Sequence, residues 1–309
     1  MKDQKLFIDK HECPVCGSNE RIVFLTTIDR HYNIEGTWDI GKCKTCGLVQ
    51  LTPMLSALDL IKLYPEDNYY AYDINKHKQF FKRLIKKLFL STLIVRDPKF
   101  DIAGKVLDYG CGTGWSLLEF KNNGWDCKGI EPSKIASKIG REQLGLNIIE
   151  GTIHTIDLAN EKFSYIRANH SLEHDPDINE TISKFNEHLE VNGKLLIGVP
   201  NINSLPYRLF GKYWWYLGAP VHTYNFTTDL LVKLLNKHGF KIESIRYCGN
   251  YAGILGSIQM YFNRNKKSQD PLKGFLMNFP PFIIIAQLFA GIINILGKGD
   301  AIEIVATKN

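Results

Sequence analysis

What the chain lacks narrows it first. The opening stretch, MKDQKLFIDK, is charged and holds no apolar run, so a secretory signal peptide is not expected. No block of like charge stands out: 38 Lys and Arg against 32 Asp and Glu leave a net charge of +6. That excess is modest, fits RNA, anionic lipid or phosphorylated substrates, and singles out none of them. The one long uncharged run, Gly274 to Gly297, is interrupted by Asn278, Pro280, Pro281, Gln287 and Asn294, which leaves too short and too polar a stretch for a membrane span. Cysteine is sparse at seven residues in 309. Four of the seven form two Cys-x-x-Cys pairs, a spacing that without an export signal favours zinc over disulfides and implies a reducing cytoplasm. The remaining composition, 44% hydrophobic and 23% charged, is that of an ordinary globular chain with a real core.

The two pairs read CPVCG at 13–17 and CKTCG at 43–47. In each, the trailing glycine lets the backbone bend under an ion while two sulfurs point at it. Cys13, Cys16, Cys43 and Cys46 together supply the four thiolates of a tetrahedral structural zinc site, with no position left open for catalysis. Strand-like RIVFLTT and GTWDIGK lie between them, giving a zinc ribbon over residues 1–52 whose folding depends on the metal. Cys111, Cys127 and Cys248 fall outside this set. Residues 53–100 read as a helical linker or lid. There Phe80, Phe81, Leu84, Ile85, Leu88 and Phe89 recur at helical spacing opposite Lys78, Lys82, Arg83, Lys86 and Lys87. Such a helix packs its apolar face on the next domain, or else meets anionic lipid or nucleic acid.

Residues 101–309 read as the catalytic domain. KVLDYGCGTG at 105–114 is a buried strand running into a glycine turn, and WSLLEFKNNG continues as a helix, the nucleotide-binding opening of a doubly wound sheet. A dinucleotide fingerprint needs a third glycine where this chain has Trp115, so a pyrophosphate cofactor is not indicated. Asp108 stands just before the turn, suited to an ammonium group. Glu131 ends the second strand, DCKGIEP, where a carboxylate can accept hydrogen bonds from two ribose hydroxyls. In these residues the chain resembles motif I and the following acidic motif of class I S-adenosylmethionine (SAM)-dependent methyltransferases. The resemblance implies SAM as cofactor, held by Asp108, Gly110, Cys111, Gly112, Gly114 and Glu131. It also implies an α/β fold, a Rossmann-like seven-stranded sheet with helices on both faces, the last strand antiparallel. Five further strands follow in that order: LNIIEG, FSYIRANHS, GKLLIGVPN, KIESIRYCG and AIEIVATKN. The helix INETISKFNEHLE is expected to end near Asn192–Gly193, and the helix FTTDLLVKLLNKHGF to start from Thr227 or Thr228. By the same resemblance Thr152 and Ile153 lie against adenine, and Asn169 and His170 border the methionine end.

Residues 170–174, HSLEH, resemble the Leu-Glu-His motif of a broad family that includes ubiquinone-type O-methyltransferases and many saccharide enzymes. His170, Glu173 and His222 are the base candidates in that order, with His174 beside them; a general base would take the acceptor proton as the methyl arrives. Some enzymes of this type hold a divalent metal near the motif, and His170, Glu173 and His174 have suitable chemistry. Two segments exceed a minimal fold. An aromatic loop at 201–222, with Tyr207, Phe210, Tyr213, Trp214, Trp215 and Tyr216, is placed where acceptors enter and offers ring faces for stacking. An apolar helical insertion at 250–299 is too long for a plain connection and suits a membrane surface, a roof over the site or an oligomer interface. The stretch from Pro220 through Gly239, with His222 and Phe226, resembles the corresponding part of methyltransferases of polysaccharide clusters. The reading is O- or C-methylation of a nucleotide- or lipid-linked saccharide in envelope polysaccharide synthesis, in the cytoplasm at or near the inner face of the membrane. The alternatives are an RNA methyltransferase with a zinc finger, for which nucleic acid is the partner, and a non-catalytic SAM-fold scaffold. Against the RNA alternative, NHSL stands where a base-methylating enzyme carries Asn-Pro-Pro-Tyr.

Overall fold

A computed structural model describes residues 6–8, 11–32, 34–63, 97–264 and 274–308; the basic helix expected over 78–89 lies outside them. Strands β1 (Leu6–Ile8), β2 (Glu20–Thr27), β3 (Trp38–Cys43) and β4 (Val49–Thr52) make an antiparallel meander, followed by a short helix α1 (Ala57–Lys62). The large sheet begins with β5 (Lys105–Tyr109), helix α2 (Trp115–Asn122), β6 (Asp126–Glu131), α3 (Lys134–Leu144), β7 (Ile148–Glu150), β8 (Phe163–Asn169), α4 (Ile178–His188) and β9 (Leu189–Pro200). After helix α5 (Leu205–Phe210) comes a two-residue strand β10 (Tyr224–Asn225), then α6 (Thr228–Lys237) and β11 (Phe240–Tyr247). The insertion folds as α7 (Tyr251–Phe262), α8 (Phe275–Asn278) and α9 (Pro280–Ile295), and β12 (Ala301–Lys308) closes the chain.

The large sheet has seven strands in the order β11-β12-β9-β8-β5-β6-β7. β12 runs antiparallel to both neighbours and the other pairings are parallel. This is the sheet that the resemblance implies, with the last strand antiparallel. Its central strands are apolar along most of their length because helices cover both faces. Leu107, Ile166, Leu195, Ile197 and Ile304 fill one core with Ile182 and Phe185 of α4, while Val106, Tyr165 and Leu196 fill the other with Leu117 of α2. Helix starts follow local chemistry: Ser133 Oγ accepts from Ala136 N, and Thr227 Oγ1 from Leu230 N, so Thr227 is the cap of α6. The expected stop of α4 near Asn192 is four residues late. The chain is already strand at Leu189, because Leu189 pairs with Phe163 and its side chain is buried; tertiary pairing overrides the Asn-Gly signal.

Strand β10 belongs to the catalytic part of the sequence but pairs antiparallel with β4, so the small sheet runs β1-β2-β3-β4-β10. Leu51 N donates to Thr223 O at 2.9 Å. Cys13, Val15, Cys43 and Leu48 share a core with Tyr224 and Phe226. The cysteine-bearing sheet is therefore continuous with the chain that carries His222 and Thr223.

Candidate active site and cysteine cluster

The four paired cysteines converge. Cys13 Sγ and Cys46 Sγ are 3.4 Å apart, and Cys16 Sγ and Cys43 Sγ 3.5 Å. All four sulfurs lie within 4.8 Å of one another, far longer than a disulfide and close to the sulfur–sulfur spacing around one tetrahedral ion. The two turns have matching geometry: Gly17 N donates to Cys13 O at 2.8 Å and Gly47 N to Cys43 O at 2.9 Å. Both glycines have positive φ, 76° and 81°, the region where a side chain is strained. Burial opposes ionisation of Cys43, but the amides of Cys46 and Thr45 and the neighbouring thiols draw it down to about 6. A set of four sulfurs, two buried and two half-buried, with amides aimed at them has the donor chemistry of a cation site.

At the cofactor turn, strand β5 delivers Asp108 and the turn that follows. Gly110, Gly112 and Gly114 all have positive φ. A Cβ on Gly110 would collide with the Cβ of Ser171, so the turn rests directly on the HSLEH segment and brings the two motifs into contact. Gly114 is closed in by Leu146 and Ile148 in the same way. Glu131, buried at the end of β6, accepts from Gly112 N through Oε2 and from Ser133 N through Oε1, each at 2.8 Å. It braces the turn and still has lone pairs for ligand hydroxyls. Burial, outweighing those two amides, raises its pKa. Asp108 is nearly inaccessible and has a cation of its own: Arg167 Nε lies 3.5 Å from Oδ1, and Arg167 also faces Asp97. Burial lifts Asp108 to about 6 although Arg167 opposes the rise. An incoming ammonium would therefore be its second cationic partner. Arg167 is a lone basic residue inside an apolar strand, FSYIRAN, a signal that sequence reasoning passed over. Cys111 is half-buried with its sulfur over Gly129.

Of the residues expected near adenine, Thr152 is partly exposed, its amide donating to Thr155 Oγ1. Ile153 is 1% exposed and sits in the main core. Its side chain is committed to packing, because the turn after β7, in which Thr155 N and Ile156 N both donate to Thr152 O, faces it inward. Asn169 ends β8 with its side chain covering Gly198 of β9.

All four base candidates meet at the carboxyl end of β8. His170 has φ 55°, a strained conformation for a non-glycine residue, held by its amide donating to Gly198 O at 2.8 Å. Its Nδ1 lies 3.2 Å from Glu173 Oε1, and its ring stacks against Tyr216 at 5.9 Å and 17°. Glu173 is fully buried, and its Oε2 has no hydrogen-bond partner among the described residues. Burial would raise this carboxyl, but His170, His174 and His222 hold it down at about 2. His174 Nδ1 lies 3.0 Å from Val221 O and His222 Nδ1 2.9 Å from Tyr216 O. A carbonyl only accepts, so each ring donates there and a neutral ring keeps its lone pair on Nε2. Desolvation, aided by the neighbouring ring, drops His222 to about 3 and also lowers His174. The rings cross edge to face at 4.6 Å. Ligand atoms of Glu173, His174 and His222 lie within 4.8 Å of one another. One carboxylate and two neutral imidazoles suit a divalent cation.

Thr223 locks this cluster: its N and Oγ1 both donate to Glu173 O, at 2.7 and 2.8 Å. Gly218, with φ 59°, lets the aromatic loop close over His222, where any Cβ would strike the ring. The loop's rings divide by role. Trp214 is buried, donating from Nε1 to Asp300 Oδ1 at 2.6 Å, and Tyr207 packs on it. Tyr213 lies under Arg30, and Trp215 meets His31, whose Nε2 is 2.7 Å from Trp215 O. Tyr216 is the ring set against His170. Most of these aromatics therefore hold the loop in place, while Tyr216 stands against His170. His31 and Arg30 come from the β2–β3 connection of the small sheet, and nothing in their local sequence marks them as neighbours of the site.

The family described as "Methyltransferase domain" matches residues 68–245, more than half of the chain. A SAM-dependent methyltransferase from Thermotoga maritima is similar at 18% identity and a TM-score of 0.46, over 78% of this chain and 98% of that one. One from Archaeoglobus fulgidus is similar at 19% identity and a TM-score of 0.48, over 74% and 100%. One from Mesorhizobium loti is similar at 14% identity and a TM-score of 0.45, over 68% and 94%. No curated protein matches the chain.

Proposed function

We propose an acceptor for a chain that belongs to the methyltransferase-domain family and is a SAM-dependent methyltransferase: a saccharide hydroxyl, nucleotide- or lipid-linked, in the synthesis of an envelope polysaccharide. One observation carries the reading, the convergence of His170, Glu173, His174 and His222 beside the cofactor turn, with Tyr216 stacked against His170. Bound at the turn, SAM supplies an electrophilic methyl group. The chain aligns the acceptor and removes one proton. His170 is the group for that proton: its ring is exposed, its Nδ1 faces the buried Glu173, and Nε2 is left to meet a hydroxyl. Desolvation works against the protonated form, but Glu173 prevails and raises the His170 pKa. Tyr216, stacked against His170, is an aromatic ring of the kind found where sugars bind. Glu173, His174 and His222 would hold a divalent cation, which when bound makes a nearby hydroxyl more acidic. The four cysteines would hold a structural zinc.

Because a base works only when deprotonated, kcat/KM is expected to rise with pH through the raised His170 value, somewhat above the ordinary imidazole value of about 6.5, and to level off beyond it. A pH–rate profile checks this; a flat profile across that range removes His170 from the role. Gly110→Ala is expected to weaken SAM binding by about tenfold or more, since an alanine there combines strained φ with a clash on Ser171; titration calorimetry reads it. The acceptor itself is tested with methyl-tritiated SAM and a cell extract, separated into RNA, lipid and nucleotide-sugar fractions. Label in the lipid or nucleotide-sugar fraction is the expected result. Label in RNA would overturn the saccharide reading.

A further inference from the structure

Helix α9 is built inside out. Its inward residues are Ala286, Gln287, Ala290 and Ile293, mostly small or polar, and they face α7. Gln287 Oε1 accepts from Tyr251 N at 3.1 Å, and Asn294 Oδ1 accepts from Gly249 N at 2.7 Å, so its polar side chains are spent on holding the helix to the body. The bulky apolar residues point the other way: Ile285 is 65% exposed, Leu288 59%, Ile292 55% and Ile295 87%. Phe282, Ile284 and Phe289 are exposed beside them. Phe275, Phe279 and Phe282 form a ring cluster at the helix start, with Phe275 and Phe279 5.1 Å apart. A soluble surface rarely carries so broad an apolar patch without a partner.

The charges in the flanking sequence indicate which partner. Between Tyr251 and Lys298 the sequence has Arg264, Lys266, Lys267, Lys273 and Lys298 against the single acid Asp270. Helices α7, α8 and α9 contain no charged residue. A two-fold contact with a second copy would bring two such cationic segments together, whereas an anionic bilayer attracts them while taking up the apolar face. Among the described residues no helix is long and apolar enough to cross a membrane. The 16 residues of α9 reach about 24 Å, a length that suits lying along the interface. We propose that α9 and the Phe275–Phe282 rings seat the protein in the headgroup region of an anionic lipid bilayer. On its far side α7 supports the acceptor loop: Trp215 N donates to Ser257 Oγ at 2.9 Å, and Gly256 is bare where the Trp215 ring presses on it. The bilayer contact thus lies one helix from Tyr216 and His222. The proposal stands independently of the acceptor class.

The full chain is to be sedimented with vesicles of phosphatidylcholine and phosphatidylglycerol in equal parts, with phosphatidylcholine vesicles alone, and without vesicles. Binding to the anionic vesicles that weakens with salt is expected. The exposed triple variant Ile285→Glu, Leu288→Glu, Ile292→Glu should bind them about tenfold less or worse. The gentler Ile285→Ser, Leu288→Ser, Ile292→Ser should fall between. Unchanged SAM affinity in both variants shows that the fold is intact. The proposal is overturned if the wild-type chain stays in solution with anionic vesicles. It is also overturned if the Glu variant binds as well as wild type, or if sedimentation velocity finds a dimer that the Glu variant dissociates while vesicle binding is absent.

Discussion

Replacing Glu173 with Gln is expected to lower kcat by about two to four orders of magnitude while SAM affinity stays within about twofold. The substitution keeps the side-chain volume and removes the charge. Glu173 is fully buried beneath the site, and its carboxylate orients His170 at 3.2 Å while facing His174 and His222. Without it His170 loses both the partner that fixes its tautomer and the charge that raises its pKa, so the midpoint of the residual pH–rate profile should move to lower pH. Cation binding by the cluster should weaken as well, because two neutral imidazoles alone are a poor site for a divalent ion. At the cofactor turn it is Glu131 that accepts from Gly112 N. Steady-state kinetics paired with SAM titration tests the split. A kcat loss of less than about tenfold, or a parallel loss of SAM affinity, would show that Glu173 is a structural brace and that His170 works without it.

Cys43→Ser is expected to abolish binding of one zinc per chain and to lower Tm by about 10 °C or more. Structural zinc in isolated small modules contributes on the order of 10 kcal/mol or more to folding, and here the loss would not stay local. Cys43 is buried in the same core as Leu48, Tyr224 and Phe226. Strand β4 pairs with β10, and β10 begins two residues after His222. From the β2–β3 connection of that sheet His31 reaches Trp215. Loosening the small sheet therefore frees the aromatic loop and the His222 side of the cluster. Methyl transfer should fall even in the fraction that remains folded at low temperature, whereas SAM affinity should hold. Metal analysis, a thermal melt and the two assays together check this. Full activity in a zinc-free variant would make the small sheet a dispensable appendage.

How much of this was legible depended on how local each signal was. The glycine turn, Asp108 and Glu131 stand within one strand-turn-helix-strand unit, so their spacing carried the sheet opening and, through the resemblance they support, the cofactor class. The cysteine knuckles are five-residue turns, and their geometry follows from Cys-x-x-Cys-Gly alone. Pattern reading placed Ile153 after β7 but did not show which way its side chain faced; in the fold it is core. Which ring of the aromatic loop would be packed was not legible, because ring content says nothing about whether a ring has a buried partner, as Trp214 has in Asp300.

By itself the sequence determined the strand order's raw material: which segments are buried strands, where glycines permit tight turns, and which residue types can take a proton or a cation. Periodicity and turn chemistry act over a few residues, and that is the range on which they can be read. The tertiary structure alone decided that β10 would join β4, that His222 would cross His174, and that Thr223 would clamp Glu173 from 50 residues away. It also decided that α9 would turn its large apolar side chains outward. Those outcomes depend on the path of a loop and on competition for one buried surface, which are settled only when the whole chain packs at once.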